Sequence, residues 1–462
     1  MRDKLSKEKQ FIFKRGTDVG IFAQQLFPNG IDVTVGEKHN QELFAKKTQE
    51  LIAQGVTTIY EATFIYNGLS VMADILHKTD DQWIAYEVKS SLKISETYVK
   101  DACFQYFVIK NCLPNLIDFN LLNLNSKYVL EGELDIKQLF KCTSILADAE
   151  KNTVYFQHKT QLTKHVLEQN KIPDIAIGTH CFQPYDCDFV GTCWKDTQVE
   201  NSIFSLGKLP RQQLLNYYNN NIKRIEDIDV STIEKKEIKT QVVATKNQTE
   251  YIDKAELQAY LSSIKGKICS VDIEVWMPAI PYYNGTKPFE MIPFLFSMVF
   301  EADNKMERLS YLKPIHNDSR ELFLEQLIEA TNPFDTILVY DKSLEESVLN
   351  QLLVLYPSYK NAINRIKEKI IDLAIPIKKG NYYHPSMKGN YTLKSLAPIV
   401  SESTSFDGLD VQSGISAMYM YEELLSTPNA FDAETLKQQL IDYCEMDALT
   451  TYQLYLYLKL KT

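Results

Sequence analysis

Two runs of alternating apolar and polar residues, Gly68-Leu-Ser-Val-Met-Ala-Asp74-Ile-Leu and Trp83-Ile-Ala-Tyr-Glu87-Val-Lys89-Ser-Ser, constrain this chain more than any other stretch. A period of two, broken by turn-like Tyr66-Asn-Gly68 and Lys78-Thr-Asp-Asp81, predicts a pair of antiparallel strands. Residues two apart share a strand face, so Glu87 and Lys89 stand side by side and Asp74 on the partner strand reaches the same spot. Two carboxylates that hold a hard divalent cation, with an ammonium against a scissile phosphate, suffice for phosphodiester hydrolysis. The same three residues also make an ordinary exposed cross-strand ion pair.

The arrangement resembles the RecB/AddB-type branch of the PD-(D/E)XK nucleases, in which an Asp at a strand end (here Asp74) precedes Glu-x-Lys on the next strand (here Glu87-Val-Lys89). That resemblance implies a restriction-endonuclease-like α/β module over residues 1–200, with Mg2+ or Mn2+ on Asp74 and Glu87 and with Lys89 catalytic. It also implies that His39, in Gly36-Glu-Lys-His39-Asn-Gln-Glu-Leu43, is a further metal ligand carried by a helix. Gln105, in Asp101-Ala-Cys-Phe-Gln105-Tyr106, would orient the site or bind DNA, although position 109 is Ile where that branch carries Tyr.

A chain of 462 residues accommodates two or three domains with ample core. The start, Met1-Arg-Asp-Lys-Leu-Ser-Lys-Glu-Lys, is charged, and no apolar run approaches a membrane span, so a cytoplasmic protein without membrane contact is expected. With 60 acidic against 50 basic residues the net charge is −10. That excess argues against passive coating of nucleic acid, yet metal-dependent nucleases concentrate carboxylates and bind substrate through local basic patches. No protein partner is legible.

Phe11 to Gly30 read as a short helix closed by Pro28-Asn-Gly30. Further on, Cys181, Cys187 and Cys193 lie in a Pro- and Gly-broken stretch that can wrap a soft metal centre. Related RecB-type nucleases close their domain with a 4Fe-4S cluster, and Cys187-x5-Cys193 resembles the last pair of that pattern. Zinc is the alternative metal. The fourth ligand is open between Cys103, His180 and another residue, and loss of the cluster altogether is the remaining option. Residues 201–255 read as a helical linker whose Lys223-Arg224, Lys235-Lys236 and Lys239 can guide a nucleic acid strand.

A second constellation follows. In Ile264 to Val275, Asp272 and Glu274 share one strand face, where two acids repel unless a cation lies between them. Phe334-Asp-Thr-Ile-Leu-Val-Tyr340 reads as a strand running into a helix capped near Ser343, so that Asp341 or Glu345 emerges at the strand's carboxyl end. Leu436 to Leu460 has helical spacing, with Tyr443 and Asp447 on one face. Between these motifs the aromatics of the loop after Met277 could stack bases, and Lys287 could contact phosphate.

This order resembles the DEDD exonucleases of the RNase H-like, DnaQ-like fold, whose motifs are Asp-x-Glu, an acid after a strand, and Tyr-x3-Asp on the last helix. Asp272-Ile-Glu274 and Tyr443-Cys-Glu-Met-Asp447 match, while the middle motif departs: Asp341 stands where Asn is usual and the acid is Glu345. The resemblance implies that Asp272, Glu274, Glu345 and Asp447 hold two metals and that Tyr443 orients or deprotonates the attacking water. As a whole the chain resembles a poorly characterised bacterial family of fused nucleases. The expectation is an α/β protein with modules at 1–200 and 256–462, acting on nucleic acid, DNA being favoured and RNA possible. Two other outcomes are a nucleic-acid-binding protein whose acid clusters hold structure, and an RNA exonuclease whose first module only grips the strand.

Overall fold

The computed structural model of the chain describes residues 4–36, 40–169, 171–315, 317–402 and 404–462. The protein is mixed α/β and divides into two compact units. One is Leu5–Ala176 with Met277–Glu290; the other is built from Ile177–Trp276 and Met291–Thr462. No helix among the described residues is long and apolar enough to cross a membrane.

The first unit is a six-stranded sheet in sequence order: β1 Ile31–Asp32, β2 Thr58–Tyr66, β3 Leu69–Thr79, β4 Gln82–Lys89, β5 Leu116–Leu124 and β6 Phe140–Ser144. The alternating runs pair as expected, β3 against β4 in antiparallel register from Thr79↔Gln82 to Ile75↔Tyr86. β4 then pairs in parallel with β5, a connection that needs a crossover, and the helix Glu96–Cys112 supplies it. Period-two alternation sorts the sheet between two apolar layers. Ile59, Leu76, Trp83 and Ala85 pack with Phe44 and with Ala102, Tyr106 and Ile109 of the crossover helix. Tyr60, Ile75 and Leu122 pack with Val19 and Ala23 of the helix Lys7–Gln24. Segment 277–290 joins that second layer through Ala279 and Phe289, and its Gly285 N–H donates to Leu130 O while Leu130 N–H donates to Thr286 O.

The second unit is centred on a five-stranded sheet of β8 Ile268–Trp276, β9 Ile292–Ala302, β10 Lys305–Leu312, β11 Thr336–Val339 and β12 Ile370–Asp372, alongside a small pair made by β7 Tyr251–Ile252 and β13 Tyr382–Tyr383. Its order is β10-β9-β8-β11-β12, with β8, β9 and β10 antiparallel and β8, β11 and β12 parallel. The longest helix, Ala430–Leu460, lays Ala448, Leu449 and Tyr452 on Val299.

Two boundaries differ from those expected. Residues 177–200 belong to the second unit, where Cys181 and Trp194 pack on Leu215 and Phe204. Residues 201–255 are not a free linker. Ile203, Leu214, Ile225, Ile238 and Val242 close a core of their own, and the helix Lys236–Asn247 comes so near the rest of the unit that a Cβ on Gly380 (φ +74°) would lie 2.7 Å from the Glu237 backbone. The composition of that stretch is polar because its helices are short and expose one face, which masks the buried positions in sequence.

Candidate metal sites

In the first unit, Asp74 lies one step beyond the Ile75↔Tyr86 pair, across from Glu87. Its Oδ2 accepts the Val88 N–H at 2.5 Å. Lys89 Nζ donates to Glu87 Oε1 at 2.9 Å and to Asp101 Oδ2 at 2.8 Å. Burial works to lower the Lys89 pKa, but Glu87 and Asp101 together overcome it and hold the ammonium above its usual range. Burial, then the charge of Glu87, pushes Asp74 well above the carboxylate range. Glu87 also rises through burial, with Lys89 opposing. Its Oε2 has no hydrogen-bond partner, while the Gln105 side chain beside it favours the carboxylate. Gln105 is itself buried and lies beside Glu87, its Oε1 without a hydrogen-bond partner.

A further acid, unremarked in sequence, stands here. Glu61 sits across from Asp74, between the pairs Tyr60↔Ile75 and Ala62↔Ala73, with φ +54°. A non-glycine residue in that region costs about 1–2 kcal/mol. Burial, then Asp32 and Glu87, lifts its carboxyl to about 7. An acid inside the apolar run Thr58-Ile-Tyr-Glu61-Ala-Thr-Phe was the available signal. His39 lies outside the described residues.

In the second unit the third strand from the β10 edge, β8, carries Asp272 and Glu274, and the helix Ala430–Leu460 presents Tyr443 and Asp447 on its buried side. One ligand oxygen from each of Asp272, Glu274 and Asp447 lies within 4.8 Å of the others, and this is the one group of three such ligands among the described residues. Burial, then Glu345, raises Asp272 to about 7. Glu274 goes well above the carboxylate range through burial, then Asp272, Asp447 and Glu345. Asp447 is raised likewise by burial and Asp272, with the Tyr443 hydroxyl and the Lys394 charge opposing.

Glu345 joins this cluster, and Asp341 does not. The Asp341 carboxylate is taken up by Lys378 at 2.6 Å and Ser343 at 2.5 Å, and φ +67° turns it off the strand. Glu345 is buried with Oε2 unpartnered, and burial lifts it to about 8. The helix Ser343–Leu355 is not capped by Ser343. The Asp372 carboxylate instead accepts N–H groups from Asp341 at 2.9 Å and Lys342 at 3.3 Å, which fixes the turn that delivers Glu345. The Cys444 thiol donates to Asp272 Oδ2 at 3.4 Å and to Asp272 O at 3.5 Å, so a buried thiol steadies one of the three acids.

Four like charges kept out of water are tolerated only if protonated or bridged by cations. An all-oxygen, buried donor set suits a hard divalent ion such as Mg2+ or Mn2+. The cysteine loop does not provide a comparable donor set. Cys181 is buried while Cys187 and Cys193 are exposed, and among the described residues the three sulfurs do not gather within 4.8 Å. The Cys187 N–H donates to Cys181 O, which turns the backbone without converging the side chains. The three thiols are therefore not drawn together as the ligands of a tetrahedral zinc site are. Lys287 is exposed on segment 277–290 of the first unit, where its N–H donates to Glu290 Oε2.

The model of a family described as a domain of unknown function (DUF2779) matches residues 269–392, just over a quarter of the chain. That span includes Asp272, Glu274 and Glu345 and stops before Tyr443 and Asp447. No curated protein and no solved structure matches the chain.

Proposed function

We propose that the protein is a metal-dependent nuclease that hydrolyses phosphodiester bonds, DNA being favoured, with a PD-(D/E)XK-like site in the first unit and a DnaQ-like, RNase H-type site in the second. One observation carries the reading: three carboxylates, the half-buried Asp272 and the buried Glu274 and Asp447, with oxygens within 4.8 Å of one another, beside a fourth whose Oε2 is unpartnered. The strand order β10-β9-β8-β11-β12, with its antiparallel half and parallel half, supports an RNase H-like arrangement. The Asp74, Glu87 and Lys89 grouping on adjoining strands supports the other.

Divalent cations, if bound by these carboxylates, would supply Lewis-acid polarisation of the phosphoryl oxygen and would lower the pKa of a water. The chain's own residues do the rest. Asp272, Glu274, Glu345 and Asp447 form a rigid cage, fixed by strand β8 and by the two helices that carry Glu345 and Asp447. Tyr443 gives its hydroxyl to Asp447, and burial together with the flanking acids keeps the phenol protonated at neutral pH. In the metal-free protein the role open to it is therefore orientation of a water or phosphate oxygen, not proton abstraction. In the first unit Lys89, held between Glu87 and Asp101, offers a fixed positive charge to a phosphorane.

The test is cleavage of labelled single-stranded DNA, duplex DNA and RNA in Mg2+ or Mn2+ by the parent protein and by Lys89→Ala and Asp272→Ala. Loss in one variant alone assigns the chemistry to that unit. A parent that cuts none of the substrates in either metal overturns the proposal in favour of a binding protein.

A further inference from the structure

The acid cluster of the second unit is overlooked by one cation that makes no ion pair within 4.0 Å among the described residues. Lys394, on the second residue of the helix Leu393–Val400, is half-buried. Its Nζ lies 5.5 Å from the centre of the Phe406 ring and 5.8 Å from that of Tyr443. The two rings meet edge to face at 6.3 Å. Its charge acts on Asp447, yet the ammonium stops short of the carboxylate and is held instead against aromatic faces. A lysine that simply neutralised the acids would close that gap, as Lys89 does with Glu87 at 2.9 Å.

We propose that Lys394 is the phosphate-contacting residue of the second site, its ammonium held over the buried Tyr443 and Phe406 rings and short of the acids, where it can bind the phosphate of a terminal nucleotide. The assignment rests on the nuclease reading of that site. Charge balance agrees with it: were divalent cations bound to neutralise the acids, the ammonium would be left to match the single negative charge of a phosphodiester.

The experiment uses the full chain as parent, Lys394→Gln and Lys394→Arg, with short single-stranded oligonucleotides in Mn2+ over a range of salt. Mn2+ affinity and thermal melting serve as controls. Lys394→Gln is expected to raise KM by about tenfold or more and to reduce the slope of log KM against log salt by about one. Lys394→Arg should stay within about threefold of the parent, and neither change should weaken Mn2+ binding. An unchanged KM and salt slope in Lys394→Gln, or a collapse of Mn2+ affinity, overturns the assignment. Should the parent cut nothing, the same proteins are titrated with dAMP and AMP in the presence of Mn2+. Nucleotide binding that Lys394→Gln weakens then supports the phosphate contact while the hydrolytic reading fails, and binding that is absent or indifferent to the substitution overturns both.

Discussion

In the first unit a lysine bonds directly to a buried carboxylate, Lys89 to Glu87 at 2.9 Å, and is steadied by Asp101 from the crossover helix. In the second, Asp272, Glu274 and Asp447 face one another with Glu345 near by, and the Lys394 charge acts on Asp447 from a distance. In both clusters neighbouring acids lift one another's carboxyls, but in the first Lys89 supplies a counter-charge in direct contact, whereas in the second no lysine among the described residues closes on the carboxylates. The second therefore has more to gain from a cation than the first.

The sharpest way to break this comparison is kinetic. Asp272→Ala should lower cleavage by the second site about 10²–10³-fold, the scale expected when a principal electrostatic element is removed. Lys89→Ala should do the same only to products of the first, and a product analysis of the two single variants and the double variant separates them.

Next in size is the dependence of stability on pH. Asp272 and Glu345 are lifted to about 7 and about 8 in the folded protein, above ordinary carboxyl values near 4. A raised folded pKa means stability that is fully present at acid pH below the unfolded value and is lost as pH climbs through the folded value. Metal-free protein should therefore be destabilised steadily between pH 5 and pH 8, by up to about 1.4 kcal/mol per pH unit for each group until its folded pKa is reached, visible as a falling Tm. Added Mn2+ should restore most of that loss at pH 8. Asp272→Asn should flatten the pH profile and diminish the response to Mn2+, and a metal-free Tm that rises over this range would contradict the account.

A smaller effect is expected in the first unit. Lys89→Met strands Glu87 without its cation and should destabilise the fold by about 1–3 kcal/mol, measured by chemical denaturation. Glu87→Gln added to the same chain should recover most of it. Smallest is Cys444→Ala, which frees Asp272 from its thiol donor. It should cost about 1 kcal/mol or less in stability and weaken Mn2+ binding by no more than about tenfold, as read by metal titration.

How much of this was legible beforehand depended on how locally each feature is encoded. The β3–β4 hairpin follows from alternation and turn residues alone, and with it the adjacency of Glu87 and Lys89. Asp272 and Glu274 share a strand face for the same reason, and Tyr443 and Asp447 share a helix face through their spacing of four. Strand and helix spacing alone left Asp341 and Glu345 open and only the family resemblance picked Glu345, because the physical basis lies in a single positive φ and in Asp372, which is 31 residues from Asp341. Glu61 escaped notice because a lone acid within an apolar strand has no partner in the linear pattern. Regular spacing of Cys181, Cys187 and Cys193 suggested a shared metal centre, and the structure leaves one of these thiols buried and two exposed.

Segment 277–290 has a bearing on how the protein can be dissected. It lies between β8 and β9 in the chain, yet it fills the first unit's second apolar layer with Ala279 and Phe289 and exchanges backbone hydrogen bonds with Leu130. A fragment ending at Ala176 would thus be missing a piece that arrives a hundred residues later, leaving Leu130 with an idle donor and acceptor and an apolar trough open to water. Genetic excision at the obvious boundary should yield a sticky, poorly folding product, and complementation in trans by a peptide of those fourteen residues would be the natural repair.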